Sequence, residues 1–524
     1  MGCDVLLQGG WVVDGTSAPP FRADVAITGG RVSAVGRLAD TEAADRVDVS
    51  GRYVTPGFVD THVHADAGAA DAEVQEACLR QGVTTLLLGQ DGLSFAPASA
   101  STIEAVARYF GPVNGPCPPE LAAGCTVADL LAHYDRSTAL NVGYLAPAGT
   151  IRAEVMGYHA GPADDAQLRA MRTLVEETLA DGALGVSTGL EYVPGRFADL
   201  AELVHLCEPV AEAGGVYVSH LRGYEADAWR GLAEMFDIAA RSGVAVHASH
   251  LHGPTNMITG LLDQARCHGV DVTFDSYPYL RGSSILAMVA LPAEVQSAGP
   301  TDTVARLQDA EVRRRLARDW FPAIADVLGR ITLSYIGADQ WQWAEGMSLL
   351  DAADKADLAP GELVCELVAS SAGGAGCVFA QPPTNTLDDV RNHLRHDAQM
   401  VGSDAVYLGS RPHPRGWGSF ARVLGRHTRE LGDLGWGEAV SHLAGHPARR
   451  FQLADRGLLR PGAVADVVVL DPATITDTAD YADPRAHATG VDHVLVNGTF
   501  ALRDGRLTGA RPGRALRRAE RMTP

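Results

Sequence analysis

None of the eight cysteines in this 524-residue chain forms a C-x-x-C pair, and those at 3, 78, 117, 125, 207, 267, 365 and 377 lie far apart. That pattern fits reduced, mostly buried thiols in a cytoplasmic protein better than a disulfide framework. No apolar run reaches the length of a membrane-spanning helix, and Met1-Gly2-Cys3-Asp4 opens no basic-then-apolar leader, so no membrane partner is expected. Basic residues are too few for a nucleic-acid partner: 43 Lys and Arg stand against 64 Asp and Glu, a formal charge of −21. With 46% apolar and 20% charged residues, the composition is that of an ordinary globular protein. Its length suits two or three domains, or one large barrel with additions.

Residues 1–52 alternate short apolar runs with Gly9-Gly10, Asp14-Gly15 and Gly29-Gly30 turns, a hairpin signature. A similar pattern returns in Val464–Leu470 and Val491–Gly498. Both termini are therefore expected to build one small β-sandwich or β-barrel domain, 1–52 plus 455–524. Between them, β-type apolar runs alternate with helical patterns such as Asp164 to Asp181 and Asp199 to Ala213. The runs begin near 54, 83, 139, 183, 215, 244, 271 and 400. Eight such runs, apolar on both faces, predict a (β/α)8 TIM-type barrel over 53–454. The stretch from about 280 to 398 is too long for one connection and predicts a helical cap inserted before the last strand.

The chemistry gathers where these runs end. Val54–Asp66 reads as a strand carrying His62 and His64, whose spacing of two sends both imidazoles to one side. The second run ends in Gln90-Asp91-Gly92, the fifth in Ser219-His220-Leu221-Arg222, the sixth in Ser249-His250-Leu251-His252 and the eighth in Ser403-Asp404. Each has a dull explanation alone; Asp91-Gly92 could be a simple turn. Five ends out of eight supplying metal-ligand residue types point to a metal site at the mouth of a barrel.

The chain resembles the amidohydrolase superfamily, and within it the D-aminoacylase (N-acyl-D-amino-acid deacylase) family. The residues that carry this are Pro56–His64, Gly189-Leu190-Glu191-Tyr192-Val193-Pro194-Gly195, Ser219–Arg222, Asp275-Ser276-Tyr277-Pro278-Tyr279, Gly402-Ser403-Asp404 and His413–Phe420. The H-x-H pattern speaks only for the superfamily; the Tyr-Pro-Tyr and His-Pro-Arg segments are closer to the deacylases. The resemblance implies Zn²⁺ held by Asp91, His220 and His250, with His62 and His64 completing that site or forming a second, weaker one. It implies Asp404 as a metal neighbour and proton shuttle, and Tyr192 as a donor to the oxyanion. Arg415 would grip the substrate carboxylate, with Tyr279, His252, Arg281, Arg222 and Ser283 also at the substrate. The implied reaction is hydrolysis of an N-acyl-D-amino acid, a small-molecule amide.

Several positions depart from that family. Asp91 stands where a cysteine thiolate is usual, keeping the charge but offering a harder ligand that also suits Mn²⁺, Fe²⁺ or Co²⁺. His252 replaces a lysine, Pro147-Ala148-Gly149 replaces Gly-His-Gly, and Arg281 replaces a small residue. Another amide therefore stays open as substrate: a D-residue dipeptide, an N-acylated natural product or a cyclic amide. A hydantoinase-type site is disfavoured because Ala183–Leu190 contains no lysine to bridge two metals. A non-catalytic scaffold is disfavoured because the ligand positions are filled.

Overall fold

The structure, a computed structural model, describes residues 2–518. The stretch from Tyr53 to His64 is shared among three ladders. Tyr53–Pro56 pairs antiparallel with Val467–Leu470 and parallel with Trp11–Val12. It thereby sits within a seven-stranded sheet built from both ends of the chain, in the order 506–507, 499–503, 491–496, 467–470, 53–56, 11–12, 21–22. The chain then leaves that sheet at Gly57, where an added Cβ would meet the Thr84 hydroxyl at 2.2 Å, so no larger residue fits the crossing. The remaining N-terminal strands form a four-stranded sheet in the order 31–36, 24–28, 3–8, 43–48.

Beyond Gly57 run the parallel strands: β1 (Phe58–Asp60), β2 (Val83–Leu88), β3 (Asn141–Tyr144), β4 (Gly185–Gly189), β5 (Val216–His220), β6 (Ala245–Ala248), β7 (Val272–Ser276) and β8 (Gln399–Val401). One ladder holds β3, β2 and β1. A second starts at Ala146–Pro147, two residues beyond β3, and continues through β4, β5, β6, β7 and β8 in order. Almost every residue of these strands is buried, which explains their unbroken apolar character. The ends of β1 and β8 are stitched together: the Thr61 hydroxyl donates to the Val401 carbonyl, the Asp404 amide donates to the His62 carbonyl, and Val63–His64 pairs in parallel with Ala405–Val406.

The expected helices stand between the strands. Asp165–Asp181 begins with a capping box in which Asp164 and Gln167 satisfy each other's backbone, and ends at Gly182 in the left-handed region. Leu200–Ala213 is capped by the Asp199 carboxylate. No helix among the described residues is long and apolar enough to cross a membrane.

The segment between β7 and β8 has its own apolar core, from Leu286 and Leu291 through Leu333 to Val364 and Cys377. Where helices are expected over Thr303–Asp319 and Pro360–Ser371 it has Pro300–Gln308 and Ala310–Arg315, separated at Asp309, and Pro360–Ser370, but also a three-stranded antiparallel sheet of Arg281–Ile285, Ala375–Ala380 and Ile331–Ile336. Ile331, Leu333 and Ile336 are buried while Thr332 and Tyr335 are only partly so. That near-alternating pattern, embedded among helical stretches, is what the helical expectation passed over.

Candidate metal centre and active site

The segments that follow β1, β2, β6 and β8, together with the last residue of β5, converge on Asp91. His62 Nε2 lies 3.4 Å and His64 Nε2 3.5 Å from its carboxylate, with His220 Nδ1 at 3.6 Å and His250 Nε2 at 3.7 Å. Asp404 Oδ1 stands 3.6 Å from His62 Nε2 and 3.3 Å from His64 Nε2. Three groups result whose ligand atoms lie within 4.8 Å of one another: Asp91/His220/His250, His62/His64/Asp91 and His62/His250/Asp404. All six side chains are buried. Three of them, Asp91, His250 and Asp404, have positive φ, of 55°, 34° and 50°. Aspartate and asparagine also adopt this region in ordinary turns, as Asp357, Asp455 and Asp504 do here, so the conformation fits the site without marking it.

These residues fit a divalent metal. Both ring nitrogens of His62 and Oδ1 of Asp91 are buried without a hydrogen-bond partner. Each such group costs about 1–3 kcal/mol unless something fills it. Ligand atoms each about 2.1 Å from one tetrahedral ion stand about 3.4 Å apart, close to the separations found here. The electrostatics of the protein groups also favours a cation. Burial opposes ionisation of His64 and His220, yet Asp404 and Asp91 raise His64 to about 10, and Asp91 and Glu191 raise His220 to about 9. Burial pushes the Asp91 carboxyl up, but His62 and the three other imidazoles overrule it and hold it well below the usual range.

Carboxylates that sequence reasoning left without a role steady this cluster. Asp275, on β7, accepts from the His250 amide at 2.7 Å and from His247 Nε2 at 2.8 Å, and faces His62 Nδ1 at 3.6 Å. Glu191 Oε2 is 2.9 Å from His220 Nε2. Both stand inside motifs already quoted; only their three-dimensional neighbours reveal what they touch.

A cavity of about 300 Å³ opens onto Asp91, His220, His250 and Asp404. Tyr192, Tyr224 and Tyr277 line it near the cluster, and Met288, Val289, Val327 and Phe379 of the inserted segment form an apolar wall. Of the expected substrate contacts, His252 and Ser283 line this cavity. His252 stacks on Tyr224 and its Nδ1–H donates to the His250 carbonyl. The Tyr192 hydroxyl is 2.7 Å from that of Ser284.

The other four do not line it. Arg415 is fully buried one layer behind, its Nη1 2.7 Å from Asp404 Oδ2 and its guanidinium over the Tyr277 ring. Its Nε and Nη1 nevertheless lack a well-aligned hydrogen-bond acceptor. Tyr279 lies under Arg422 and lines a small adjoining hollow. Arg281 stacks on Tyr481, and Arg222 is held by Glu234 and the Ala198 carbonyl.

Residues 45–501 match the family model described as "Amidohydrolase family". The chain is 34% identical to the D-aminoacylase of Alcaligenes xylosoxydans xylosoxydans, over 98% of each protein. Among solved structures, N-acyl-D-glutamate deacylase from Bordetella bronchiseptica, complexed with zinc and a phosphonate mimic of the tetrahedral intermediate, matches with a TM-score of 0.84. Its identity is 31%, over 99% of this chain and all of that one. A D-aminoacylase with a binuclear metal centre matches with a TM-score of 0.82 and 32% identity, over 98% of this chain and all of that one.

Proposed function

The chain belongs to the amidohydrolase family, among the D-aminoacylases, and from that premise we propose that it hydrolyses N-acyl-D-amino acids to a carboxylate and a free D-amino acid. The observation that carries this reading is the convergence of Asp91, His220, His250 and Asp404 in the lining of one cavity. Asp91, His220 and His250 would hold a tightly bound Zn²⁺, with His62 and His64 at a second, weaker site; Mn²⁺, Fe²⁺ or Co²⁺ would also suit this donor set. The metal, when bound, polarises the amide carbonyl and acidifies water.

The rest falls to the chain's own residues. Burial pushes the Asp404 carboxyl up, but Arg415 first and the surrounding imidazoles hold it far below the usual range, so it is ionised at neutral pH. Asp404 accepts the proton of the attacking water and hands it to the departing nitrogen, which leaves poorly as an anion. Tyr192, kept protonated by burial and pointed at the cavity by Ser284, donates to the carbonyl oxygen as charge develops. Arg415, buried one layer behind the cavity, orients Asp404; to grip the substrate carboxylate as well, its guanidinium would have to reach past the Ser283 carbonyl that it meets at 3.4 Å. Met288, Val289, Val327 and Phe379 take the apolar part of the substrate.

In the fold, we read the parallel ladders as one closed (β/α)8 barrel that starts after Gly57, not at 53, and runs to 454, joined between β8 and β1. We read the N-terminal residues through Pro56, with 455–509, as the terminal β-domain, so that the expected boundary at 52 moves to take in Tyr53–Pro56, and 280–398 as a cap whose wall closes the cavity. The cytoplasm suits the eight free cysteines.

The test is a panel of N-acetyl, N-formyl and N-succinyl amino acids of both chiralities, assayed for amine release with Zn²⁺, Mn²⁺ or Co²⁺ added. Release confined to D-compounds supports the proposal. Metal-replete protein that releases amine from none of them sinks it.

A further inference from the structure

We propose that Glu191 is the positioning residue that sets the metal-facing side of His220, an inference that rests on reading Asp91, His220 and His250 as metal ligands. His220 turns Nδ1 towards Asp91 Oδ2 at 3.6 Å and towards His250 Nε2 at 3.1 Å. Two imidazole nitrogens so close can serve one cation only if both present lone pairs, so the proton of His220 must sit on its other nitrogen. That nitrogen, Nε2, lies 2.9 Å from Glu191 Oε2. An ionised carboxylate only accepts, so the hydrogen bond fixes the Nε2–H tautomer and leaves Nδ1 free. The added negative charge also makes the ring a stronger donor to metal.

The placement of Glu191 is built into the backbone. Leu190 N–H donates to the His220 carbonyl at 3.0 Å, tying the loop after β4 to the end of β5. At Gly189, the last residue of β4, the chain passes so close to Asp91 that a Cβ there would stand 2.2 Å from the Asp91 carbonyl oxygen. The loop bearing Glu191 is thus pinned to two of the three ligand-bearing segments. A similar arrangement serves His64, where Nδ1 meets Asn114 Oδ1 at 3.1 Å while Nε2 faces Asp91 and Asp404. His220 differs in having a charged partner, one that itself reaches the cavity.

The experiment measures Zn²⁺ affinity of the full chain by competition with a chromogenic chelator, for wild type, Glu191→Ala and Glu191→Gln. Glu191→Ala should weaken Zn²⁺ binding by about 10–100-fold, and Glu191→Gln, whose amide oxygen still accepts from Nε2–H, by clearly less. The isosteric Gln variant guards against misfolding, and the melting temperatures of the metal-free variants should stay close to that of wild type. Wild-type affinity in Glu191→Ala overturns the inference, whatever happens to turnover, because it would place Glu191 on substrate alone. The hydrolytic reading is judged separately, by amine release from D-substrates in wild type; a wild-type chain that takes up no Zn²⁺ overturns this inference and leaves that reading to its own assay.

Discussion

Arg415 and Asp404 form an ion pair 2.7 Å long in which the arginine is wholly and the aspartate almost wholly shut off from solvent. Asp404 thus has a cation on one oxygen and, on the other, His62 and His64. Neutralising it removes the proton acceptor and also leaves the buried Arg415 cation without its counter-charge, so the thermal midpoint should drop as well. Asp404→Asn is expected to keep the fold and most of the metal while losing on the order of 10²-fold or more in kcat. Turnover near that of wild type would take Asp404 out of the mechanism.

The same pair gives Arg415 two duties that kinetics can separate. Arg415→Met strands a buried carboxylate, a change that costs about 3–5 kcal/mol when nothing replaces the lost charge. The thermal midpoint should drop, and kcat should fall for every substrate because Asp404 loses its ionised, oriented state. If Arg415 also meets the substrate carboxylate, KM should rise for N-acyl-D-amino acids but not for their α-amides. Equal changes in KM on both substrate kinds would leave Arg415 with the first duty only.

The parts of this site legible in the sequence were those announced by a strand end. His62, His64, Asp91, His220, His250 and Asp404 each close an apolar run, and chain order alone brings such ends to one side of a parallel sheet. The partners of these residues were not legible, because pairing depends on distances no spacing encodes. Glu191 follows a glycine-led turn and reads as loop until its carboxylate is seen against His220. Arg415 stands eleven positions after Asp404, a separation that says nothing of an ion pair. Arg222 and Arg281 look free in sequence, yet Glu234 and Tyr481 occupy them. The strands of the inserted segment were hidden by the helices around them.

Acid should destabilise the fold through buried histidines outside the metal cluster. Burial holds His393 and His442 down to about 4 and His446 to about 3, so all three are neutral in the folded protein. The unfolded chain, with ordinary values near 6.5, takes up protons first as pH falls. Stability is therefore fully present above about pH 6.5 and drains away as pH drops towards 4. His393 packs edge-on against Phe274 and its Nε2 has no partner, so His393→Leu should fit and titrate no longer. Urea unfolding at pH ~7 and ~4.5 should give the wild type a steeper loss than this variant. Parallel losses would exonerate His393.

The sharpest question about the metal is what Asp91 contributes. Its carboxylate lies within 3.7 Å of four imidazoles, and one oxygen is buried with no hydrogen-bond partner. A turn residue would need none of this; an Asp-Gly turn on the surface satisfies its carboxylate with water. If Asp91 is a ligand, Asp91→Ala removes the only anion among Asp91, His220 and His250, and metal content after purification in chelator-free buffer should collapse. Asp91→Cys keeps a single negative charge but exchanges a hard oxygen for a soft sulfur. It should bind Zn²⁺ more tightly than wild type and discriminate more strongly against Mn²⁺. Wild type, by contrast, should regain activity with Zn²⁺, Mn²⁺ or Co²⁺ after chelation. Full metal and full activity in Asp91→Ala would reduce Asp91 to a turn residue and leave the centre to the histidines and Asp404.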